Sequence, residues 1–275
     1  MSEKIQNNAK AKQSYMENFR RYLELRNYQK KNVKRIVAIA KEYEEYREKG
    51  NLPKEYISYL KLRKNKNNPE KLLSNGTINN YLTALKLYRN YRKNIKRKET
   101  DILFCKSLKT YIPKIEIVSP EEIQSLFEAT LNTRDKAVLC CLYYLGLRAG
   151  EAAELLLEDV DLENQKVLVR KSKTGYQREI PIHSKALEIF EEYVKERIPK
   201  GECFLQGLKG NLTPSGIEFI IEKIAEKSKI KKRIYPHLLR HSIATHLLKN
   251  GMELKKVSTF LGHRSLESTQ RYTHL

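Results

Sequence analysis

The sequence has no tryptophan, 4 cysteines in 275 residues, and far fewer acidic than basic side chains. No two cysteines form a Cys-x-x-Cys pair, and Cys140 and Cys141 lie in an apolar run. Neither a disulfide framework nor a zinc site is therefore predicted. No apolar run approaches the roughly 20 residues of a membrane helix, and residues 1–30 are polar and charged. We expect no membrane span, no signal peptide and a cytoplasmic protein.

Positive charge is what the chain has in excess. It carries 54 Lys and Arg against 33 Asp and Glu, a formal net charge of +21 at pH 7. Residues 1–120 hold 29 basic against 12 acidic side chains, a net of +17, whereas residues 121–275 hold 25 against 21, a net of +4. This imbalance predicts a polyanionic partner, whose phosphate backbone is contacted broadly by residues 1–120. The alternative is that surplus lysines only keep the protein soluble.

Apolar residues at helical spacing predict four helices in the first part of the chain. They run over about 12–26, 29–49, a short stretch from Pro53, and 77–94, with Thr77 as the N-cap of the last helix. Residues 1–11 are expected to fray, and 63–70 to form a polar loop. This predicts a helical domain over residues 1–94, followed by a charged linker over 95–118.

A second domain is predicted over residues 119–275. Ser119-Pro120-Glu121-Glu122 is typical of a helix start, with serine as N-cap, proline at the first helical position and an acid three residues on. Alternating segments at Val167–Arg170 and Arg178–Ile182 predict two strands joined by the turn that holds Lys173. Helices near 184–198, 214–228 and 237–249 complete a mostly α (α+β) fold.

Five short motifs follow one another in this second domain. They read Gly146-Leu-Arg148-Ala-Gly-Glu151, Lys171-Ser-Lys173-Thr-Gly175, His237-Leu-Leu-Arg240, Leu261-Gly262-His263 and, nine residues after that histidine, Tyr272. A phenol beside such cations suits nucleophilic attack at phosphorus, because positive groups neutralise the phosphate oxygens and the developing charge. Taken alone, His237 is more typical of a core or capping histidine, and Tyr272 is one of 17 tyrosines. The prediction of a phosphorus-attacking tyrosine therefore rests on the five motifs together.

In this order and spacing, the motifs resemble those of the tyrosine recombinase (phage integrase) family, and most of all its Xer-like members. The resemblance covers residues 119–275 and implies a mostly helical catalytic domain with a small antiparallel β-sheet. It also implies that residues 1–94 form a four-helix core-binding (SAM-like) domain. The implied activity is that of a site-specific recombinase, a DNA strand transferase that works without metal, ATP or another cofactor.

The resemblance also implies partners and a biological role. The substrate is a double-stranded DNA recombination site, on which the protein forms a homo-oligomer, a dimer per site and a tetramer in the synapse, with accessory proteins. The role is resolution of chromosome or plasmid dimers, or integration and excision of a mobile element. Two strand exchanges through a Holliday junction would accomplish either.

Site roles follow from the resemblance, residue by residue. Tyr272 is the nucleophile, and Arg148 and Arg240 hold the scissile phosphate through the planar fork of the guanidinium. Glu151, one helical turn after Arg148, orients that arginine or His237. The alternative interpretation is that Glu151 is an ordinary acidic residue on the surface of the helix.

The remaining roles concern protons. Lys173 is the implied general acid for the departing 5′ oxygen, and Lys171, two residues before it, stays open as the alternative. His237 would assist proton transfer at the tyrosine, and His263 would donate a hydrogen bond to the phosphate.

DNA contacts are also predicted in the first domain, whose helices lie on the major groove in the family. The candidates on the last helix are Asn79, Asn80, Lys86 and Arg89, for which a solvated helix face is the alternative. A run of cations without a counter-charge predicts phosphate contacts at Arg92, Lys93, Lys96 and Arg97.

Two other functions remain open at this point. The same chemistry serves type IB topoisomerases, which relax any supercoiled plasmid rather than joining two defined sites. A non-catalytic DNA-binding protein could read DNA with the helix–turn–helix pattern of residues 237–262. In that case, changing Tyr272 to phenylalanine would leave every activity unaltered.

Overall fold

The computed structural model describes residues 2–66, 68–96, 107–110, 116–170, 177–198 and 201–262. The chain forms two compact units, Met1–Pro113 and Lys114–Leu275. The boundary between them falls inside the segment predicted as a linker. None of the helices in the described part of the chain combines the length and apolar character needed to cross a membrane.

Four helices form the first unit, as predicted. They are α1 (Ser2–Leu25), α2 (Lys30–Glu48), α3 (Tyr56–Leu62) and α4 (Asn75–Lys96). Aromatic rings fill the space between α1 and α4, where Phe19 lies 5.0 Å from Tyr88 and 4.9 Å from Tyr91 between ring centroids. In a chain without tryptophan, phenylalanine and tyrosine supply the large apolar surface of this core.

Three local predictions in the first unit were wrong. The backbone of α1 is helical from Ser2, because this polar stretch is rich in good helix formers. Residues 63–70 contain not a loop but an antiparallel hairpin of β1 (Lys64–Asn65) and β2 (Asn68–Leu72), whose mostly exposed polar strands give no apolar period. The predicted cap Thr77 instead donates its backbone N–H to the Ser74 hydroxyl at 3.2 Å.

The chain returns to the first unit after α4. The side-chain amide of Asn79 donates to the Leu108 carbonyl at 2.9 Å and accepts the Leu108 N–H at 2.7 Å. Asn75 donates to the Lys109 carbonyl at 2.8 Å. Two asparagine side chains thus provide the backbone of this short segment with its hydrogen bonds, while Leu108 packs against the core.

The second unit is mostly helical with small antiparallel sheets, which confirms the predicted fold class. Its elements are α5 (Pro120–Glu128), α6 (Thr133–Leu142), α7 (Ala149–Glu154), β3 (Val160–Asp161), β4 (Lys166–Val169), β5 (Arg178–Pro181), α8 (Ser184–Glu196), β6 (Gln206–Gly207), β7 (Gly210–Asn211), α9 (Pro214–Ser228), α10 (Pro236–Lys249) and α11 (Leu254–Leu261). Strands β3, β4 and β5 form one sheet in that order, and β6 pairs with β7.

The helix start predicted at Ser119 is confirmed in detail. The Ser119 hydroxyl accepts the Glu122 N–H at 3.3 Å, and the Glu122 carboxylate accepts the Ser119 N–H at 2.7 Å. This reciprocal pair satisfies two of the donors that a helix leaves open at its N-terminus. Helix α6 lies at the centre of the unit, and its residues 137–142 are all buried.

The segment entering the second unit is tied to α10, the helix that carries His237 and Arg240. The Val118 N–H donates to the Ser242 hydroxyl at 2.8 Å, and that hydroxyl donates to the Leu238 carbonyl at 2.8 Å. Both Val118 and Ser242 are fully buried, so neither group has water as a substitute partner.

Replacing Ser242 with alanine is expected to destabilise the second unit. The buried Val118 N–H would lose its acceptor, a change that costs about 1 to 3 kcal/mol. Urea unfolding followed by circular dichroism measures this loss. Ser228→Ala is the matched control, because the Ser228 hydroxyl contacts a carbonyl of its own helix. Equal stability of the two variants would contradict the role assigned to Ser242.

Candidate active site

A tight turn between α6 and α7 sets the position of Arg148. Gly146 has a φ of +57°, in the left-handed region, and Arg148 is the N-cap residue of α7. A Cβ atom at Gly146 would lie 3.0 Å from side-chain atoms of both Leu261 and Phe260. Glycine is needed here for its backbone conformation and for the close approach of α11.

The centre of the site is the buried carboxylate of Glu151, whose side chain is 3% exposed. Its oxygens lie 2.6 Å from Nη1 of Arg148, 3.0 Å from Nη2 of Arg178 and 3.6 Å from Nη1 of Arg240. It also accepts the backbone N–H of Arg148 at 3.0 Å. One negative charge thus faces three guanidiniums, which leaves a local excess of positive charge suited to an anion.

The two predicted phosphate ligands are held differently. Arg240 is 3% exposed, and its two terminal nitrogens donate to the carbonyls of Gly146 and Leu261. It is therefore fixed between the turn after α6 and the end of α11. Arg148 is 25% exposed, so its guanidinium is the more accessible of the two to a ligand.

Arg178 is a site residue to which the sequence interpretation gave no role. It opens β5 and is buried on the same face as Ile180 and Ile182. Its Nε donates to the Phe260 carbonyl at 2.8 Å. A signal was present, because an arginine in phase with two isoleucines of an alternating strand points to the core, where a guanidinium requires a partner.

His237 lies in the first turn of α10, after the N-cap residue Tyr235. Partial burial lowers its pKa, and the positive charges of Arg240 and Arg148 lower this pKa further. The imidazole is therefore neutral at pH 7 and able to accept a proton. The structure thus brings together four of the predicted residues, Arg148, Glu151, His237 and Arg240.

The other predicted catalytic residues, Lys173, His263 and Tyr272, lie outside the described residues, as does the alternative Lys171. Their roles stay predictions. The strands before and after residues 171–176 are described, and β4 pairs with β5 in the predicted antiparallel arrangement.

The DNA contacts predicted on α4 stay predictions as well. Asn80, Lys86 and Lys93 are exposed, Arg89 is partly buried, Lys96 is the last residue of the helix, and Arg97 lies outside the described residues.

Two of these candidates have an additional role within the chain. Asn79 holds the Leu108 backbone, as described above. Arg92 pairs with Glu44 at 2.9 Å, is 14% exposed, and lies 5.9 Å from the centre of the Tyr88 ring. These contacts account for both residues without DNA.

The surroundings of Glu151 make the stability of the second unit depend on pH. Burial would raise the pKa of this carboxyl. The hydrogen bond and charge of Arg178, the Arg148 N–H and the charge of Arg240 outweigh burial and hold the pKa below the ordinary 4.5. The stabilisation is therefore fully present above pH 4.5 and is lost as the pH falls through the lower folded-state pKa.

Glu151→Gln is expected to lower the free energy of unfolding by about 3 to 5 kcal/mol at pH 7, because it leaves buried guanidiniums without a counter-charge. Urea unfolding measures the difference, which should narrow as the pH falls below 4.5. The exposed Glu163 provides the control variant Glu163→Gln. A loss no larger than that of the control would show that the carboxylate does not hold the cluster.

Comparison with known proteins identifies the family of the chain. Residues 116–275 match the model of the phage integrase family. The chain is 32% identical over 222 residues to Tyrosine recombinase XerC of Listeria monocytogenes serovar 1/2a, covering 75% of this chain and 73% of that protein. It is 34% identical over 223 residues to Tyrosine recombinase XerC of Bacillus subtilis, covering 75% and 72%.

Solved structures share the fold. The crystal structure of XerA recombinase has a TM-score of 0.55 at 23% identity, over 96% of this chain and 94% of that chain. The Tn1549 transposon integrase in complex with transposon right end DNA has a TM-score of 0.73 at 18% identity, over 94% and 93%. XerH bound to palindromic difH substrate has a TM-score of 0.63 at 24% identity, over 74% and 64%. From the family match and the identity to the two XerC proteins, the chain belongs to the phage integrase family of tyrosine recombinases.

Proposed function

We propose that the chain is a site-specific DNA recombinase that cuts and rejoins DNA through a 3′-phosphotyrosyl intermediate. The observation that carries the proposal is the single carboxylate of Glu151 among Arg148, Arg178 and Arg240. These four groups have a net charge of +2. A phosphodiester with one negative charge becomes a five-coordinate transition state with two, so the cluster is complementary to the transition state.

In the proposed reaction, the Tyr272 oxygen attacks the scissile phosphorus while the bond to the 5′ oxygen breaks. The phenol has an ordinary pKa of about 10, and nearby guanidiniums favour its ionisation. His237 accepts the phenol proton, and Lys173 protonates the departing oxygen. The phosphotyrosyl bond retains the energy of the bond it replaces, so a 5′ hydroxyl of a second strand can reverse the step without ATP.

In this proposal the phosphate oxygens are bound by Arg148, Arg240 and His263. Glu151 orients Arg148. The guanidiniums supply the positive charge that a metal ion supplies in other phosphoryl-transfer enzymes. Arg148 is the most exposed of the three clustered arginines, so we assign to it the first contact with the DNA phosphate.

The relatives support recombination rather than relaxation. The two XerC proteins are named tyrosine recombinases, and the XerH and Tn1549 structures are complexes with DNA. The proposed substrate is a double-stranded recombination site in the cytoplasm, bound by a dimer, with a tetramer in the synapse and two strand exchanges through a Holliday junction. Dimer resolution and mobile-element integration both remain within this proposal.

The nucleophile can be tested with a nicked suicide substrate that carries the recombination site. In the presence of EDTA, the wild-type protein should form a covalent protein–DNA adduct on denaturing gels. Tyr272→Phe should form none, because the attacking oxygen is missing. Tyr144→Phe, which changes a partly buried tyrosine of the same unit, is the control that keeps the adduct.

Two results would count against the proposal. An adduct that persists in Tyr272→Phe would mean that another residue attacks the phosphorus. Relaxation of plasmids without any defined site, in the absence of strand joining between two sites, would indicate a topoisomerase instead.

The role of His237 predicts a pH dependence. Because the pKa of this imidazole is lowered from its ordinary 6.5, the cleavage rate should hold its plateau between about pH 7 and 8 and should fall at acidic pH, as the base becomes protonated. His237→Gln should reduce single-turnover cleavage by about 100-fold or more and remove this acidic limb. The control is His183→Gln, an exposed histidine at the N-terminus of α8, which should keep both rate and limb. An unchanged limb in His237→Gln would assign it to another group.

A further inference from the structure

Arg178 is buried, with a side chain that is 5% exposed, and each of its three nitrogens has an acceptor. Its Nε donates to the Phe260 carbonyl at 2.8 Å, and its terminal nitrogens lie 3.0 and 3.5 Å from the two oxygens of Glu151. A guanidinium is tolerated in an interior when its charge is paired and its donors are bonded. Arg178 meets both conditions by joining β5, α7 and the end of α11.

The guanidinium of Arg178 also lies against the backbone of Gly262. This glycine has a φ of +64°, and an added Cβ atom would lie 2.7 Å from Nη1 of Arg178. His263 follows Gly262 directly, and β5 is the strand that leaves the turn predicted to hold Lys173. Arg178 thus lies on the strand that follows Lys173, and its side chain contacts the residue before His263. Through Glu151 it is also linked to Arg148.

The arginines of the cluster differ in how they are held. Arg240 has its own acceptors, the carbonyls of Gly146 and Leu261. In the described part of the chain, the Arg148 guanidinium is held by Glu151. The position of Arg148 therefore follows the position of Glu151, and Arg178 binds both oxygens of that carboxylate from β5.

We propose that Arg178 is a positioning residue for strand cleavage, which holds Glu151 and the end of α11 so that Arg148 meets the scissile phosphate. This inference rests on the proposed function. Lysine at position 178 would keep the charge, but it lacks the planar fork and cannot bond the Phe260 carbonyl and both oxygens of Glu151 at once.

The test is a double-mutant cycle on the rate of covalent adduct formation under single turnover. Arg178→Lys should cleave about 100-fold more slowly than wild type, since a small displacement of a phosphate-binding group has effects of that size. Arg148→Lys should also be slow. If Arg178 acts through Arg148, the double variant should be close to Arg148→Lys alone.

Arg197→Lys is the matched control, because this partly buried arginine bonds the Cys203 carbonyl and does not contact the cluster. It should cleave at the wild-type rate. Arg178→Met serves as a second variant, since its apolar side chain of similar length fills the same space while Arg148 and Arg240 remain to neutralise Glu151. DNA affinity and the thermal midpoint are measured for every variant.

Each outcome of these measurements either supports the inference or overturns it. If the two reductions in cleavage rate multiply in the double variant, the inference is overturned. A purely structural loss from Arg178→Lys would slow cleavage equally with and without Arg148→Lys. Wild-type cleavage by Arg178→Lys would overturn it too, as would loss of folding in both position-178 variants, which would make Arg178 a folding residue. If the wild-type protein formed no adduct, the proposed function itself would fail.

Discussion

The second unit depends on one buried carboxylate. Three guanidiniums converge on Glu151 from α7, β5 and α10. Two like charges about 4 Å apart repel by about 4 kcal/mol at an effective dielectric constant of 20, so this arrangement would not be stable without a shared counter-charge. The carboxylate neutralises one of the three charges and leaves the other two. The interaction that stabilises the fold thereby also leaves the site complementary to phosphate.

Positive charge serves different purposes in the two units. In the first unit, Arg63 pairs with Glu42, and Arg92 pairs with Glu44. Tyrosine side chains surround both pairs, and burial followed by the charge of Glu42 raises the pKa of Tyr56 well above its ordinary value. These arginines support the helical bundle. The net charge of +17 over residues 1–120 is therefore not a count of phosphate contacts, and the exposed lysines are the better candidates.

Local features of the fold could be predicted from the sequence, and features that depend on distant contacts could not. The capping box at Ser119 and the strands before and after residues 171–176 follow from residues close together in the chain. Arg178 was missed because its partners lie 27 residues before it and 82 residues after it. Motif spacing placed Arg148 and Arg240 in one site, but only the folded chain shows that Glu151 touches both.

The turn at Gly146 makes the formation of the site cooperative. Its carbonyl binds Arg240, and its missing side chain admits α11, whose end accepts a second hydrogen bond from the same arginine. Moving any one of these segments away would leave a buried charge or carbonyl without a partner. A closely packed interior does not deform gradually to accommodate such a loss. The centre is therefore either assembled or locally unfolded. Local opening of this region would therefore remove the whole phosphate site at once rather than weaken it by degrees.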